Sequence, residues 1–140
     1  MQPFETLNDV VKYNADKNPN KIQYNFVSFD RKNDRQEITL TSKELETRVR
    51  CLASKLQESD CIGQRALLVY PPGLDYIVAF YACLYAGVVA VPTYPPLTKQ
   101  LSTRLKVIAK DCEAKYVLTT EFINMFMASD KEKSPSLACA

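Results

Sequence analysis

One stretch of the chain, residues 65–97, combines the highest apolar content with the densest placing of glycine and proline. No charged residue falls between Asp75 and Lys99, and two of the three glycines and five of the eight prolines lie in the stretch. The uncharged run is long enough to span a bilayer, since about 20 apolar residues suffice. The rest of the chain is polar or amphipathic, so we expect the fold to form around this segment.

The order of residue types along this stretch favours a folded βαβ unit over a membrane span. Residues 66–70 form a short apolar run that stops at two prolines and a glycine. Residues 74–86 have a helix-compatible composition, and Gly87 stands where a helix C-cap would. Residues 88–91 are largely β-branched and should end at Pro92. Buried parallel strands read as such continuous apolar runs, and prolines near one end would interrupt a spanning helix.

The overall composition excludes several classes of function. The chain has 140 residues, 46% of them hydrophobic and 24% charged, which is typical of one globular domain with a single core. Eighteen basic and sixteen acidic side chains leave a net charge of +2, too small to indicate a nucleic acid or an anionic membrane as partner. Because there is no histidine, His-based triads, His metal sites and a His general base are excluded within this chain.

The cysteines indicate a reducing compartment. They are Cys51, Cys61, Cys83, Cys112 and Cys139. Their number is odd, no two form a C-x-x-C pair, and three lie inside predicted helices. We therefore expect reduced, buried thiols in a cytoplasmic protein, rather than a disulfide scaffold or a zinc site. The N-terminus has no basic segment followed by an apolar core, so no secretory signal is predicted.

Two capping boxes mark helix starts in the first half of the chain, at Thr6 with Asp9 and at Thr41 with Glu44. The first helix should stop before Pro19, and the second carries one apolar face.

Between these helices, a period-two alternation over residues 21–29 and a return over residues 37–40 predict a β-hairpin. Its polar turn, residues 30–36, could present a phosphate-binding patch, but we expect a solvated loop tip.

The second half of the chain alternates strand and helix. After the central βαβ unit come an amphipathic helix over residues 100–113, a strand over 116–119 and a short helix over 121–127. The basic residues of the amphipathic helix are expected to face solvent rather than a ligand. The predicted fold class is α/β: a mainly parallel sheet with helices on both faces, plus the N-terminal β-hairpin. Residues 1–128 should form one unit, and residues 129–140 a flexible polar tail.

In parallel sheets, ligands bind beyond the carboxyl ends of the strands. Those ends should carry residues 70–73, 93–96 and 119–120, so if the domain binds a small molecule, its site should lie at that edge. No glycine-rich phosphate loop and no nucleophile elbow occurs, and three glycines cannot build a phosphate cradle. We assign no catalytic residue and no metal ligand, and we leave the cofactor-binding residues open. Three tyrosines of the central helix are expected to pack in the core.

Three pieces of the central stretch resemble the N-terminal region of fatty acyl-AMP ligases, which belong to the adenylate-forming superfamily with acyl-CoA synthetases. The pieces are the Y-P-P-G run of residues 70–73, the C-L-Y-A-G run of residues 83–87 and the V-P-x-Y-P-P run of residues 91–96. The resemblance covers roughly residues 5–128. The positions that carry it, as structural motif residues, are Pro71, Pro72, Gly73, Gly87, Pro92, Tyr94, Pro95 and Pro96.

The resemblance implies a specific activity for the complete family enzyme. It implies activation of a fatty acid with ATP and Mg²⁺ to an acyl-adenylate, followed by transfer to an acyl-carrier protein. The nucleotide-binding and catalytic motifs of the family lie downstream of the resembling region and do not occur in these 140 residues, so no catalytic residue is carried over. We expect the chain to be inactive alone, with the remainder of such an enzyme, or a second copy through exposed sheet surface, as partner. The alternative is a stand-alone interaction or scaffold module.

Overall fold

The structure, a computed structural model, describes residues 4–129. Within them lie helices α1 (Leu7–Lys17), α2 (Ser42–Glu58), α3 (Leu74–Ala86), α4 (Lys99–Asp111) and α5 (Glu121–Ser129). The strands are β1 (Ile22–Phe29), β2 (Arg35–Thr41), β3 (Arg65–Val69), β4 (Val89–Thr93) and β5 (Tyr116–Thr119). The order of elements is the predicted one. Residue 129, where the predicted tail starts, ends α5, and the rest of that tail lies outside the described residues.

Both predicted capping boxes are confirmed. The Thr6 hydroxyl accepts the N–H of Asp9 at 3.2 Å, and the Asp9 carboxylate accepts the N–H of Thr6 at 2.9 Å. Likewise, the Thr41 hydroxyl accepts the N–H of Glu44 at 3.3 Å, and the Glu44 carboxylate accepts the N–H of Thr41 at 2.9 Å. Because these bonds stabilise the charged carboxylates, the hydrogen bonds from Thr6 lower the pKa of Asp9 and those from Thr41 lower the pKa of Glu44.

The predicted hairpin is also confirmed, because β1 and β2 pair antiparallel in a two-stranded sheet of their own. Tyr24 and Phe26 of β1 pack against the larger apolar cluster of the protein, the main core, which α1, α2 and α3 form with one face of the parallel sheet. The turn is tighter than predicted, since β2 begins before residue 37. The Asp30 carboxylate closes it by accepting the N–H groups of Lys32 and Asp34 at 2.8 and 2.9 Å.

The parallel sheet has the order β4-β3-β5, with both pairs parallel. The central strand β3 divides two apolar clusters. Ala66 and Leu68 belong to the cluster formed with α1, α2 and α3, whereas Leu67 and Val69 belong to the cluster formed with α4 and α5. The predicted arrangement of helices on both faces of the sheet is therefore confirmed.

One boundary of the central unit was predicted wrongly: β4 does not stop at Pro92 but continues through it to Thr93. The reason is the direction of the N–H groups. Val89 donates its N–H to the carbonyl of Gln64 at 2.9 Å, towards β3. Because N–H groups alternate along a strand, the position of Pro92 faces the outer edge, where a missing donor removes no ladder bond.

Three helices end with the same pair of backbone bonds, the Schellman motif. At the end of α3, Val88 donates to the Cys83 carbonyl at 2.9 Å and Gly87 donates to the Leu84 carbonyl at 3.4 Å. Gly87 has φ 71°, as its predicted role requires. The corresponding residues after α2 and α4 are Asp60 (φ 55°) and Glu113 (φ 51°), which are not glycines and gave no signal in the sequence.

The prediction that the cysteines are buried is wrong for Cys51, which is exposed on α2. Cys61 and Cys83 are fully buried in the main core, and Cys112 is half-buried. Burial, and to a lesser degree the neighbouring Cys61, raises the pKa of the Cys83 thiol to about 12. Cys112 caps α4 rather than lying inside it, and Cys139 lies outside the described residues.

The uncharged stretch folds as the βαβ unit rather than as one long helix. Tyr76, Tyr81 and Tyr85 of α3 pack against the main core, as predicted. The Tyr81 hydroxyl lies 3.1 Å from that of Tyr24, which joins α3 to the hairpin. Of the helices in residues 4–129, none combines the length and apolar character that crossing a membrane requires.

Replacing Gly87 by serine should lower the free energy of unfolding by about 1–2 kcal/mol, because a side chain in the left-handed region is strained. The matched control is Gly73→Ser. Gly73 is extended at the N-cap of α3, and a Cβ there would meet no atom within 4 Å. Serine also favours the N-cap, so this control should be neutral or slightly stabilising. Urea unfolding measures both, and equal losses would contradict the strain assigned to Gly87.

Timed alkylation followed by mass spectrometry should separate the thiols in a Cys139→Ser background. Cys51 should react within minutes because it is exposed, and Cys83 only as fast as the protein unfolds. Raising the pH to 9 should not expose Cys83 to reagent, because its pKa of about 12 keeps it as the unreactive thiol. Cys51→Ser should abolish the fast phase. Fast labelling of Cys83 in the folded chain would contradict the described core.

Candidate functional site

The carboxyl edge of the parallel sheet brings together the three predicted segments. Val69 of β3 is in register with Thr93 of β4 on one side and with Thr119 of β5 on the other. The loops that follow, residues 70–73, 94–98 and residue 120, therefore leave the sheet side by side. The structure confirms that they share one edge.

Threonine hydroxyls fix this edge. The Thr119 hydroxyl donates to the Val69 carbonyl at 2.7 Å, and the Thr93 hydroxyl donates to the Leu68 carbonyl at 3.2 Å. The Thr120 hydroxyl accepts the N–H of a residue in the first turn of α5 at 3.3 Å. These groups hold the loops in place.

The first loop, Y-P-P-G, leads from β3 into α3. Tyr70 is half-buried. Burial, and after it the negative charge of Asp75, raises the pKa of the Tyr70 hydroxyl, so the phenol stays neutral. Asp75 pairs with Arg48 of α2 at 2.6 Å, but both side chains are exposed, so the pair contributes little to stability. Pro71 and the neighbouring Pro72 shape the turn, and only the latter is exposed.

The second loop, T-Y-P-P, leads from β4 into α4. Pro95 and Pro96 are buried, and Leu97 donates its N–H to the Pro95 carbonyl at 2.8 Å, which makes a tight turn. Tyr94, by contrast, is 70% exposed. A large aromatic ring on a rigid, proline-bounded loop is a feature of contact surfaces rather than of a core.

One of the motif positions lies elsewhere. Gly87 follows α3, which runs back along the sheet, and its carbonyl accepts the N–H of Gly63 at 2.8 Å before β3. It therefore lies at the amino edge, opposite the candidate site. The structure thus divides the motif residues into a group towards the carboxyl edge and a helix cap on the far side.

Sequence reasoning missed a groove beside the second loop. It has a volume of about 510 Å³ and lies between α4 and Phe126 of α5. Pro96 and Leu97 form its apolar end, and Lys99 and Lys106 place two cations along α4. Lys106 belongs to the amphipathic helix that the sequence predicts, but its position opposite Phe126 depends on how α4 and α5 pack, which the sequence does not reveal.

The carboxyl edge supplies loops that hydrogen bonds hold in place, but we assign no reactive group to it. Within residues 4–129, no three His, Cys, Asp or Glu side chains lie close enough to hold a metal ion. We assign no Mg²⁺ ligand to this chain. What the arrangement can do is position neighbouring loops.

Comparisons with known proteins agree with this geometry. Residues 11–139 match the family described as AMP-binding enzyme. The medium-chain-fatty-acid–[acyl-carrier-protein] ligase JamA of Moorena producens is 38% identical over 120 residues, which are 83% of this chain and 20% of that protein. The long-chain-fatty-acid–AMP ligase FadD32 of Mycolicibacterium smegmatis is 35% identical over 100 residues, 71% of this chain and 16% of that protein.

A solved structure shows the same fold. The crystal structure of fatty acid AMP ligase from Legionella pneumophila superposes with a TM-score of 0.81 at 33% identity, covering 88% of this chain and 21% of that one. This chain thus spans about a fifth of the length of the relatives it matches and corresponds to their N-terminal portion. Its relatives include fatty acid–AMP ligases, and because the family model matches most of its residues, the chain belongs to the AMP-binding enzyme family.

Proposed function

We propose that this chain is the N-terminal part of a fatty acid–AMP ligase. The complete enzyme would activate a fatty acid with ATP and Mg²⁺ to an acyl-adenylate and pyrophosphate. It would then transfer the acyl group to an acyl-carrier protein in the cytoplasm. The observation that carries this proposal is the likeness to the Legionella ligase, which covers 88% of this chain at 33% identity.

Within such an enzyme, residues 1–128 would supply a scaffold and part of the wall around the substrates. The positions of Pro95, Pro96 and the Y-P-P-G turn support this role, because they set the course of loops at the edge where parallel sheets bind ligands. The groups that contact ATP and Mg²⁺ would come from other parts of the enzyme. Adenylation needs preorganised donors and a cation around the triphosphate, which loops held in place can help to position.

A second candidate is a stand-alone interaction module without catalysis. The observation that favours it is exposed apolar surface on α5, where Phe122 is 71% and Met125 is 66% exposed. Apolar side chains grouped on one side of a helix mark contact sites. An interaction module would bind its partner without any dependence on fatty acid or ATP.

Fatty-acid-dependent ATP–pyrophosphate exchange tests the proposed function. The purified 140-residue chain should show none. A fusion of the full chain to the part of the Legionella ligase beyond the matched segment should restore exchange, while that part alone should be inactive. The intact Legionella ligase is the positive control.

Two results would contradict the proposal in different ways. Exchange by the 140-residue chain alone would contradict the assignment of the chemistry to the rest of the enzyme. A fusion that folds but shows no exchange with any fatty acid would contradict the ligase function and favour the interaction module.

A further inference from the structure

One side of α4 carries a row of lysines. Lys99, Lys106 and Lys110 are seven and four residues apart, so they lie along one side of the helix over about 16 Å. All three are exposed, and the first two line the groove beside α5. Leu105, by contrast, is buried against the sheet. The row therefore lies on the outer surface of the molecule, next to α5.

These lysines have no acidic partner. In the part of the chain that the structure describes, the ion pairs lie on β2, within α2 and between α2 and α3. Asp111, the only acidic residue of α4, is five residues beyond Lys106 and thus on another side of the helix. Because the whole chain has a net charge of only +2, the row is a local excess of positive charge.

The neighbouring helix places apolar side chains on the same outer surface. Ile123 packs against the sheet, so Met125, two residues further on, points to the opposite side of α5. Phe122 is one turn before Phe126, which lines the groove, so it lies along the side that faces α4. Phe122 and Met125 are both exposed. Glu121 is the only acidic residue of α5, so the two helices together keep a positive charge on this side.

Cations beside protruding apolar side chains are the chemistry that binds an anionic lipid surface. Lysine ammonium groups stay at the level of the lipid phosphates, while aromatic and aliphatic side chains enter the boundary of the acyl chains. We propose that the outer face of α4 and α5 docks on a bilayer that contains anionic phospholipids. This outer face is formed by Lys99, Lys106, Lys110, Phe122 and Met125. The contact is with the surface of the membrane and needs no spanning helix.

Other partners fit the outer face less well. The centres of protein interfaces are poor in lysine, because a cation removed from water needs a partner there. A second copy, related by a twofold axis, would bring the same lysines against each other, and like charges repel. An acidic polypeptide would match the lysines but not the protruding Phe122 and Met125. At a lipid surface the cations meet phosphates and stay hydrated.

The outer face adjoins the candidate site. Helices α4 and α5 both begin at the carboxyl edge of the sheet, so docking would hold that edge close to the bilayer. A fatty acid partitions into bilayers, so a ligase docked in this way would meet its substrate there. That last step rests on the proposed function, whereas the docking itself stands without it.

Co-sedimentation of the 140-residue chain with lipid vesicles tests the docking. The chain should bind vesicles of phosphatidylcholine that contain about one third phosphatidylglycerol, and bind pure phosphatidylcholine at least about tenfold more weakly. Raising the salt concentration to about 1 M, where the Debye length is about 3 Å, should remove most of the binding.

Matched lysine variants separate the outer face from the net charge. Lys99→Gln combined with Lys106→Gln should weaken binding to the anionic vesicles about 25-fold, since each lysine near such a surface contributes about fivefold. The control, Lys12→Gln combined with Lys55→Gln, removes the same charge from exposed positions on α1 and α2. Those helices pack on the other face of the sheet, so the control should bind like the parent chain.

A matched pair of phenylalanine variants tests the apolar part of the contact. Phe122→Ser should weaken binding about tenfold, because less apolar surface leaves water on docking. The control is Phe29→Ser, at a position of the hairpin that is 63% exposed, and it should bind like the parent chain. Both variants should keep the urea midpoint of the parent, because both rings are exposed.

The other outcomes overturn the docking. Equal binding to both kinds of vesicle, or equal losses in the two lysine pairs, would mean general adhesion rather than a docking face. Dimerisation that Phe122→Ser abolishes would make a second copy the occupant, and binding of polyglutamate as tight as that of vesicles would make it an acidic polypeptide.

The fusion to the Legionella remainder separates this inference from the proposed function. A fusion that shows ATP–pyrophosphate exchange but does not bind vesicles would overturn the docking and keep the proposed function, since the rest of the enzyme would cover the outer face. A fusion that binds vesicles without exchange activity does the reverse.

Discussion

The burial of β3 on both faces is the constraint on which the rest of the structure depends. Leu68 and Val69 are consecutive, both fully buried, and belong to different clusters. Each such side chain contributes roughly 1.5–3 kcal/mol when removed from water, so one short strand stabilises two layers of helices at once. The strands on both sides of β3 are parallel to it, and parallel neighbours bring their carboxyl ends, with their loops, to one edge. The position of the candidate site therefore follows from the packing of β3.

The elements that were predictable depend on local signals. The starts of α1 and α2 were predictable from Thr6 and Thr41, because the capping partner of each lies three residues along the chain. The elements that were missed depend on tertiary context. Pro92 stops a strand unless its position faces an outer edge, and no local pattern reveals which strand is at the edge. The end of α3 was predictable from Gly87. The end of α2 was not, because Asp60 makes the same backbone bonds there although it is not a glycine.

The same distinction applies to the candidate site. Its edge was predictable, because the alternation of strands and helices fixes the direction of the strands. Its groove was not, because that requires Phe126 of α5 to lie opposite Lys99 and Lys106 of α4, a contact set by the packing of two helices on a shared face. The exposure of Cys51 was missed for a similar reason: burial on a helix depends on which side its neighbours cover.

Pro92 has a consequence for the order in which the protein can be assembled. Its ring removes one backbone donor from the outer edge of β4, so a strand added there would find an interrupted ladder. A polypeptide leaves the ribosome from its N-terminus, and domains fold as their segments emerge. Because β4 is made before β5, the edge that is exposed first already carries a residue that discourages pairing with another chain. In this way one imino acid can protect a partly synthesised sheet from pairing with the wrong strand.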